Sequence, residues 1–359
     1  MKKKQYVFLA LLMVCTLFVG CSKKPAPTEA PSNVQEKKES SEAKETLTDD
    51  GDLIVYNSTK EEIMAIMLEN FEKSTNVHGE TILLSAGEAV GRITAEEKNP
   101  QASLWYGGGI DSYIAAKEAG LLEAFVPENA DLIDAKFKDP DGYFYGTNVT
   151  YLVICYNQAL LAEKGVEAPK SWNDLLKKDF EGQITIANPG SSGTAYTFLS
   201  TICQILGEEE GLQYMKELDK NIKSYEKSGS APARLVAQGE AMVCVTYYHD
   251  VAAYQEQGFT DLVGVMPEEG TGYEIACTAL VKGGPAQEAG KKFIEYALTA
   301  ESQEIGDVTG YYTAHTNPNA KISDQIKALG EIKTIDYDFI WAGTNKARLI
   351  EEWSKLVGQ

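Results

Sequence analysis

Ile184-Thr185-Ile186-Ala187-Asn188-Pro189-Gly190-Ser191-Ser192-Gly193-Thr194-Ala195-Tyr196-Thr197-Phe198 reads as a β-branched strand, a tight Pro-Gly turn and the opening of an apolar helix that runs to about Leu206. The first turn of any helix leaves backbone N–H groups without intrahelical partners, and the helix dipole adds partial positive charge there. Gly190 and Gly193 let the main chain come close to a guest, while Ser191, Ser192 and Thr194 add hydroxyls. Such a strand end can cradle an anion. It can equally be an ordinary Ser/Thr N-cap, so the rest of the chain has to decide between the two.

A similar unit lies near the start. Leu53-Ile54-Val55-Tyr56 is a short apolar strand, followed by Asn57-Ser58-Thr59 and a helix with Ile63, Met64, Met67, Leu68 and Phe71 on one face. Thr59 and Glu62 have capping-box spacing, which puts Ser58 and Thr59 at a second helix start. Strands at 81–84 and 102–106 lead into Ser85-Ala86-Gly87-Glu88 and Gly107-Gly108-Gly109-Ile110-Asp111, with Asp111 read as the cap of a helix that Gly120 stops. Strands alternating with helices describe a parallel sheet in an α/β domain, whose ligands lie outside the carboxyl ends of the strands. Ser58, Thr59 and Gly108 then share one edge.

The run 144–157 is long for one strand and suits a crossing between domains. A second α/β unit containing the cradle follows, and its strand at 242–246 ends at Tyr247-Tyr248-His249-Asp250. Residues 273–282 bring the chain back to the first domain, and helices at 288–298, 301–305 and 345–356 close it.

Composition narrows the class. The 359 residues, 43% of them hydrophobic, suffice for two domains with sizeable cores. Lys2, Lys3 and Lys4 precede an apolar run over 6–19 that ends Leu17-Phe18-Val19-Gly20-Cys21, the layout of a signal peptide over 1–20 and too short for a membrane span. The ending resembles the lipobox of bacterial lipoproteins, which implies cleavage before Cys21 and a lipid on its thiol. Residues 21–51 are rich in Lys, Glu, Ser, Pro and Thr and read as a flexible tether. The expected location is the extracytoplasmic face of the cell membrane, touched only through the anchor.

A net charge of −20 excludes nucleic acid as a partner. The only arginines are Arg92, Arg234 and Arg348, and Arg92 has the spacing of an i,i+4 partner for Glu96. Cys155, Cys203, Cys244 and Cys277 sit in apolar runs and read as buried free thiols. No G-x-S-x-G, phosphate loop or H-E-x-x-H pattern occurs, and His78, His249 and His315 are far apart, so neither catalysis nor a cofactor is expected.

One ordered set of segments spans the chain beyond the tether: strand–Ser58-Thr59–helix, 188–196, Lys227-Ser228-Gly229-Ser230-Ala231-Pro232, Gly239-Glu240-Ala241, Pro267 to Glu274, and Asp336-Tyr337-Asp338-Phe339 with Trp341. It resembles the ABC-importer solute-binding proteins of the group containing ferric-iron, hexose-phosphate and 2-aminoethylphosphonate binders. The resemblance implies a two-lobed α/β fold of the periplasmic-binding-protein-like type II class, with a ligand cleft between the lobes and hinge strands. Residues 52–150 would begin lobe 1, 151–272 would form lobe 2, and 273–359 would return to lobe 1 with the C-terminal helices. It also implies a monomer that hands a small anionic solute to the transmembrane subunits of a permease.

For the ligand, Ser58, Thr59, Gly108, Ser191, Ser192, Gly193 and Thr194 would surround a phosphoryl group. His249 would add a donor, and Asp250 and Glu274 would accept from sugar hydroxyls or an amine, the parts that a His-Asp pair and a later Glu play in hexose-phosphate relatives. Tyr248 would stack on the sugar, since alternation lets only one of Tyr247 and Tyr248 face the cleft. The alternative is ferric iron, because Tyr247-Tyr248 lines up with the tyrosine pair that ferric-binding relatives use as phenolate ligands. Against iron, Asn57-Ser58-Thr59 lacks the histidine some of them carry, and Val149-Thr150 stand where many have arginine. A surface enzyme or an adhesive lipoprotein is the remoter reading.

Overall fold

The computed structural model describes residues 51–358. The signal peptide, Cys21 and nearly all of the tether lie outside the described residues. β1 (Leu53–Asn57), α1 (Glu61–Thr75), β2 (Gly79–Leu83), α2 (Ala86–Ala95), β3 (Leu104–Gly109) and α3 (Ile110–Glu118) build the first lobe, with the short β4 (Leu122–Glu123) beside it. β1 runs parallel to both β2 and β3, so the carboxyl ends of the three strands point the same way. The apolar face of α1 is buried as its spacing predicts, and Phe71 meets Phe293 edge-on with ring centroids 5.1 Å apart.

β5 (Tyr145–Asn157) leads into the second lobe, made of α4 (Gln158–Lys164), β6 (Ile184–Ala187), α5 (Gly193–Leu206), α6 (Glu208–Asp219), β7 (Ile222–Glu226), α7 (Ala231–Ala237), β8 (Val243–Tyr247), α8 (Tyr248–Glu256) and β9 (Leu262–Val265). β10 (Tyr273–Val281) returns. The strand order is β2-β1-β3-β10-β5-β8-β6-β7. β5 joins the two halves: Tyr145 to Tyr151 pair antiparallel with β10, while Leu152 to Tyr156 pair with β8. A strand shared in this way leaves the lobes free to pivot about it.

After β10 come α9 (Gln287–Ala297), α10 (Ala300–Gln303), α11 (Ile305–Val308), β11 (Ala314–His315), α12 (Asp324–Ala328) and α13 (Phe339–Val357). α9 packs into the first lobe through Phe293 and Ile294. The last helix differs from the expected return to lobe 1. It starts six residues earlier than its periodicity suggested, because Asp338 accepts a 2.8 Å hydrogen bond from the Trp341 N–H as its N-cap. Leu349 and Trp353 then bury themselves in the core that holds Phe198, Ile202 and Met215 of the second lobe. Burying side chains of this size contributes roughly 1.5–3 kcal/mol each, enough to hold α13 on that lobe. Arg348 adds a two-pronged contact to Glu208 at 2.6 and 2.8 Å. The four described cysteines are buried free thiols, with Cys155 and Cys244 opposite each other in register between β5 and β8. No helix among the described residues is long and apolar enough to cross a membrane.

Candidate functional site

On the first lobe the Gly-rich end of β3 presses against the loop after β1. A Cβ at Gly107 (φ 84°) would stand 2.8 Å from the Ser58 carbonyl carbon, and one at Gly108 (φ 80°) 2.7 Å from the Ala86 Cβ. Both positions therefore need glycine for close approach as well as for a left-handed backbone. The amides of the adjacent loop are already committed. Ser58 N–H donates to the Tyr106 carbonyl at 2.7 Å, and Thr59 N–H donates to Asn57 Oδ1 at 2.8 Å. The Ser58 hydroxyl accepts from Trp105 Nε1 at 3.0 Å. This corrects the expectation of unpaired amides at Ser58 and Thr59. The Thr59–Glu62 capping box is absent as well, because Lys60 takes the N-cap position of α1 with no side-chain cap. Asp111 is likewise not a cap; Gly109 holds that position in α3.

The second lobe matches the cradle more closely. Asn188 organises the turn: its Oδ1 accepts from Gly190 N–H at 2.8 Å, and its carbonyl accepts from Ser191 and Ser192 N–H, each at 3.0 Å. Ser192 is the N-cap of α5, accepting from Ala195 N–H at 3.4 Å. The first two amides of the helix, at Gly193 and Thr194, have no protein partner among the described residues, as the geometry of a helix start requires. Ser191 is exposed and turns its hydroxyl to the Lys227 carbonyl at 3.0 Å, so only its backbone serves the cradle. Gly229 covers the site: a Cβ there would lie 2.1 Å from Thr194 Oγ1 and 3.1 Å from Ser192 Oγ.

Glu274 connects the two sides. Paired with Thr150 across the hinge strands, its carboxylate would lie 3.1 Å from a Cβ at Gly109 and 4.0 Å from one at Gly193, one glycine from each lobe. Tyr247 places its hydroxyl 3.3 Å from Glu274 Oε2 and 3.0 Å from Thr197 Oγ1. Burial pushes the Glu274 carboxyl up to about 7, and the nearby Asp111 charge adds to this. Thr246 shares its hydroxyl between Asp250 Oδ2 at 2.8 Å and the Gly229 carbonyl at 3.1 Å, which draws Asp250 next to the cradle. His249 lies 2.8 Å through Nδ1 from Thr150 Oγ1 and 3.6 Å through Nε2 from Asp250 Oδ1, with its ring 4.5 Å from that of Tyr311. Burial lowers its pKa against the pull of Asp250, with the Lys60 charge helping, so it is a neutral imidazole at pH 7 rather than a charged donor.

A cavity of about 270 Å³ opens beside Glu274, between Asp111, Gly193, Tyr196, Tyr273 and Lys346. Lys346 of α13 spans it, 3.2 Å from Asp111 Oδ2 of α3 and 5.1 Å above the Tyr196 ring. This ion pair ties the last helix of the second lobe to the first lobe.

Gly193 and Glu274 line this cavity; Ser192, Thr194 and Asp250 neighbour Gly193 through Gly229 and Thr246, and His249 neighbours Asp250, whereas Thr59 lines a separate small space with Tyr106, Asn148 and Tyr311, and Gly108 packs against Ala86. Tyr248 is not among them. Its hydroxyl donates to the Gln325 carbonyl at 2.8 Å and its ring packs over Gly264, facing away from Tyr247. This also separates the two phenols on which iron would depend, and burial pushes both of their pKa values up. Among the described residues no group of three or more His, Cys, Asp or Glu side chains could hold a metal ion. Asp111 is read in the sequence only as a helix cap and Thr150 only as one of a pair standing where many ferric-binding relatives carry arginine, and Lys60, Tyr311 and Lys346 are not singled out there. Lys60 follows directly on a strand-end Ser-Thr and could have been; Tyr311 and Lys346 carried no local signal.

Comparison with known proteins agrees with this architecture. Residues 109–342 match the family model described as bacterial extracellular solute-binding protein. An uncharacterized protein of Haemophilus influenzae is 35% identical over 315 residues, 86% of this chain and 91% of its own length. A putative 2-aminoethylphosphonate-binding periplasmic protein of Salmonella typhimurium is 27% identical over 66% of this chain and 69% of its own. The periplasmic binding protein AfuA of Actinobacillus pleuropneumoniae, solved with exogenous fructose-6-phosphate bound, aligns with a TM-score of 0.77 at 38% identity, covering 86% of this chain and 99% of that one. With the family match, the two-lobed fold and the cleft in hand, the chain belongs to the bacterial extracellular solute-binding proteins.

Proposed function

We propose that this protein is the lipid-anchored receptor of an ABC importer, capturing a small phosphorylated organic solute, a hexose phosphate or a phosphonate, and delivering it to the permease. The observation that carries the reading is the pairing of free amide donors with carboxylate acceptors close beside them. Gly193 and Thr194 offer unpaired amides at a helix N-terminus, with the Ser192 and Thr194 hydroxyls beside them. Asp250, drawn next to the cradle by Thr246, and Glu274, 4.0 Å from a Cβ at Gly193, can accept hydrogen bonds from sugar hydroxyls or an amine. The chemistry named for two relatives, fructose-6-phosphate and 2-aminoethylphosphonate, has this polarity. Cys21 would carry the lipid, and residues 22–51 would give the lobes reach to the permease.

The test is a thermal-shift screen of the chain from Ser22 against hexose phosphates, 2-aminoethylphosphonate, glycerol phosphates, polyamines and Fe(III). Stabilisation by phosphorylated compounds, and none by the same sugars without phosphate, is expected. Stabilisation by iron alone, with a visible phenolate absorption band, would overturn the proposal in favour of Tyr247 and Tyr248.

A further inference from the structure

A phosphoryl dianion enclosed between lobes needs a positive charge, and the obvious sources are engaged elsewhere. Arg92 is bound to Glu96 at 2.9 Å, Arg234 to Gln238 at 3.0 Å and Arg348 to Glu208. Lys346 is neutralised by Asp111. His249 is uncharged at neutral pH. The acids Asp250 and Glu274 border the same gap, so an anion there meets repulsion unless a cation offsets it.

Lys60 differs from these groups. It stands at the N-cap of α1, where the helix dipole adds to its charge; its carbonyl accepts from Met64 N–H at 3.2 Å, while its ammonium has no ion-pair or hydrogen-bond partner among the described residues. Its ammonium sits 4.9 Å from the centroid of the Tyr311 ring, which in turn stacks 4.5 Å from His249 on the opposite lobe. The Tyr311 ring gives the exposed Lys60 side chain a resting place on the side that faces His249.

We infer that Lys60 is the countercharge that reads the phosphoryl group, drawing that end of the solute toward α1 and α5 and offsetting the neighbouring Asp250 and Glu274. The inference rests on the proposed class of solute and deepens it: it names a first-lobe residue that makes phosphate, and not the sugar alone, the requirement for binding. Because Lys60 is contributed by one lobe and Gly193 and Thr194 by the other, the anion would favour closure by attracting both.

The experiment is a calorimetric titration of the wild type, K60Q, K60R and K227Q with fructose 6-phosphate, each repeated at low and high salt. Lys227 serves as comparator, since it lies at the exposed rim beside Ser191. Replacing a charge-assisted contact by a neutral one should weaken K60Q binding about 10- to 100-fold. Most of this loss should return in K60R, and K227Q should stay within about threefold of wild type. The affinity of K60Q should also depend less on salt than that of the wild type. All four proteins should melt alike without ligand, because the Lys60 head group supports no contact in the fold beyond one ring. Wild-type binding that K60Q reproduces within about threefold, with the same salt slope, would overturn the role of Lys60 and leave the proposed function standing. A wild type that binds no phosphorylated probe would overturn both.

Discussion

Glu274→Gln is the perturbation whose size follows most directly from the structure. In the folded protein the carboxyl titrates near 7, raised from an ordinary 4.5 by burial and by Asp111. The folded state therefore holds this proton more tightly than the unfolded chain, and without ligand the protein loses stability as pH rises from about 4.5 through 7. Each pKa unit corresponds to about 1.4 kcal/mol, so the full shift is worth about 3 kcal/mol. Part of the side chain touches water, which screens the charge and brings the expectation to about 2 kcal/mol. Glutamine keeps the shape and the hydrogen bond from Tyr247 without the charge. Urea denaturation of the unliganded proteins should show E274Q more stable than wild type by about 2 kcal/mol at pH 8, with the two curves converging near pH 4.5. Parallel curves across that range would refute the claim that Glu274 is a strained acid waiting for a donor. The same logic gives a sign for binding. Solute hydroxyls or an amine that stabilise the carboxylate should release up to about half a proton per site at pH 7, seen as a buffer-dependent heat that E274Q lacks.

Gly229→Ala tests the wall of the cradle. Its Cβ would fall 2.1 Å from Thr194 Oγ1, so the start of α5 must shift, and affinity for a hexose phosphate should drop by about tenfold or more, with a loss of stability of about 1–3 kcal/mol. Thr194→Trp should abolish most binding by filling the gap outright. Lys346→Gln removes the partly exposed ion pair that joins α13 to α3, at 40% and 27% side-chain exposure; a pair of this kind is worth about 0.5–1 kcal/mol, so the closed form and the affinity should weaken by about two- to fivefold. Scattering data on the unliganded variant should show a larger radius of gyration than wild type.

The parts of this account that could be read from the chain are those written in local patterns. The strand-turn-helix at 184–206 reproduced itself in β6 and α5 because a β-branched run, Asn188, Pro189 and a serine N-cap all favour the same backbone. The length of β5 disclosed a strand serving two sheets. Where two residues competed for one role, the pattern failed. Thr59 has capping-box spacing to Glu62, yet Asn57 captures the Thr59 amide and the N-cap moves one residue on to Lys60, so that the helix begins at Glu61. Tyr247 and Tyr248 alternate as expected, but the turn into α8 aims Tyr247 at Glu274 and buries Tyr248 in the core on the other side of the strand, beside Val153 and Val251. Asp111, Tyr311 and Lys346 reach the gap only through tertiary packing, and α13 belongs to the second lobe because Leu349 and Trp353 fit its core, which no helical period can disclose.

A phosphoryl group held by the first amides of α5 is observed most directly by selective ¹⁵N labelling of glycine and threonine. On titration with fructose 6-phosphate, the Gly193 and Thr194 amide protons should move downfield and show the largest shifts among the labelled residues, while fructose at the same concentration leaves them in place. Saturation with the phosphorylated sugar while both signals stay where they were would contradict it.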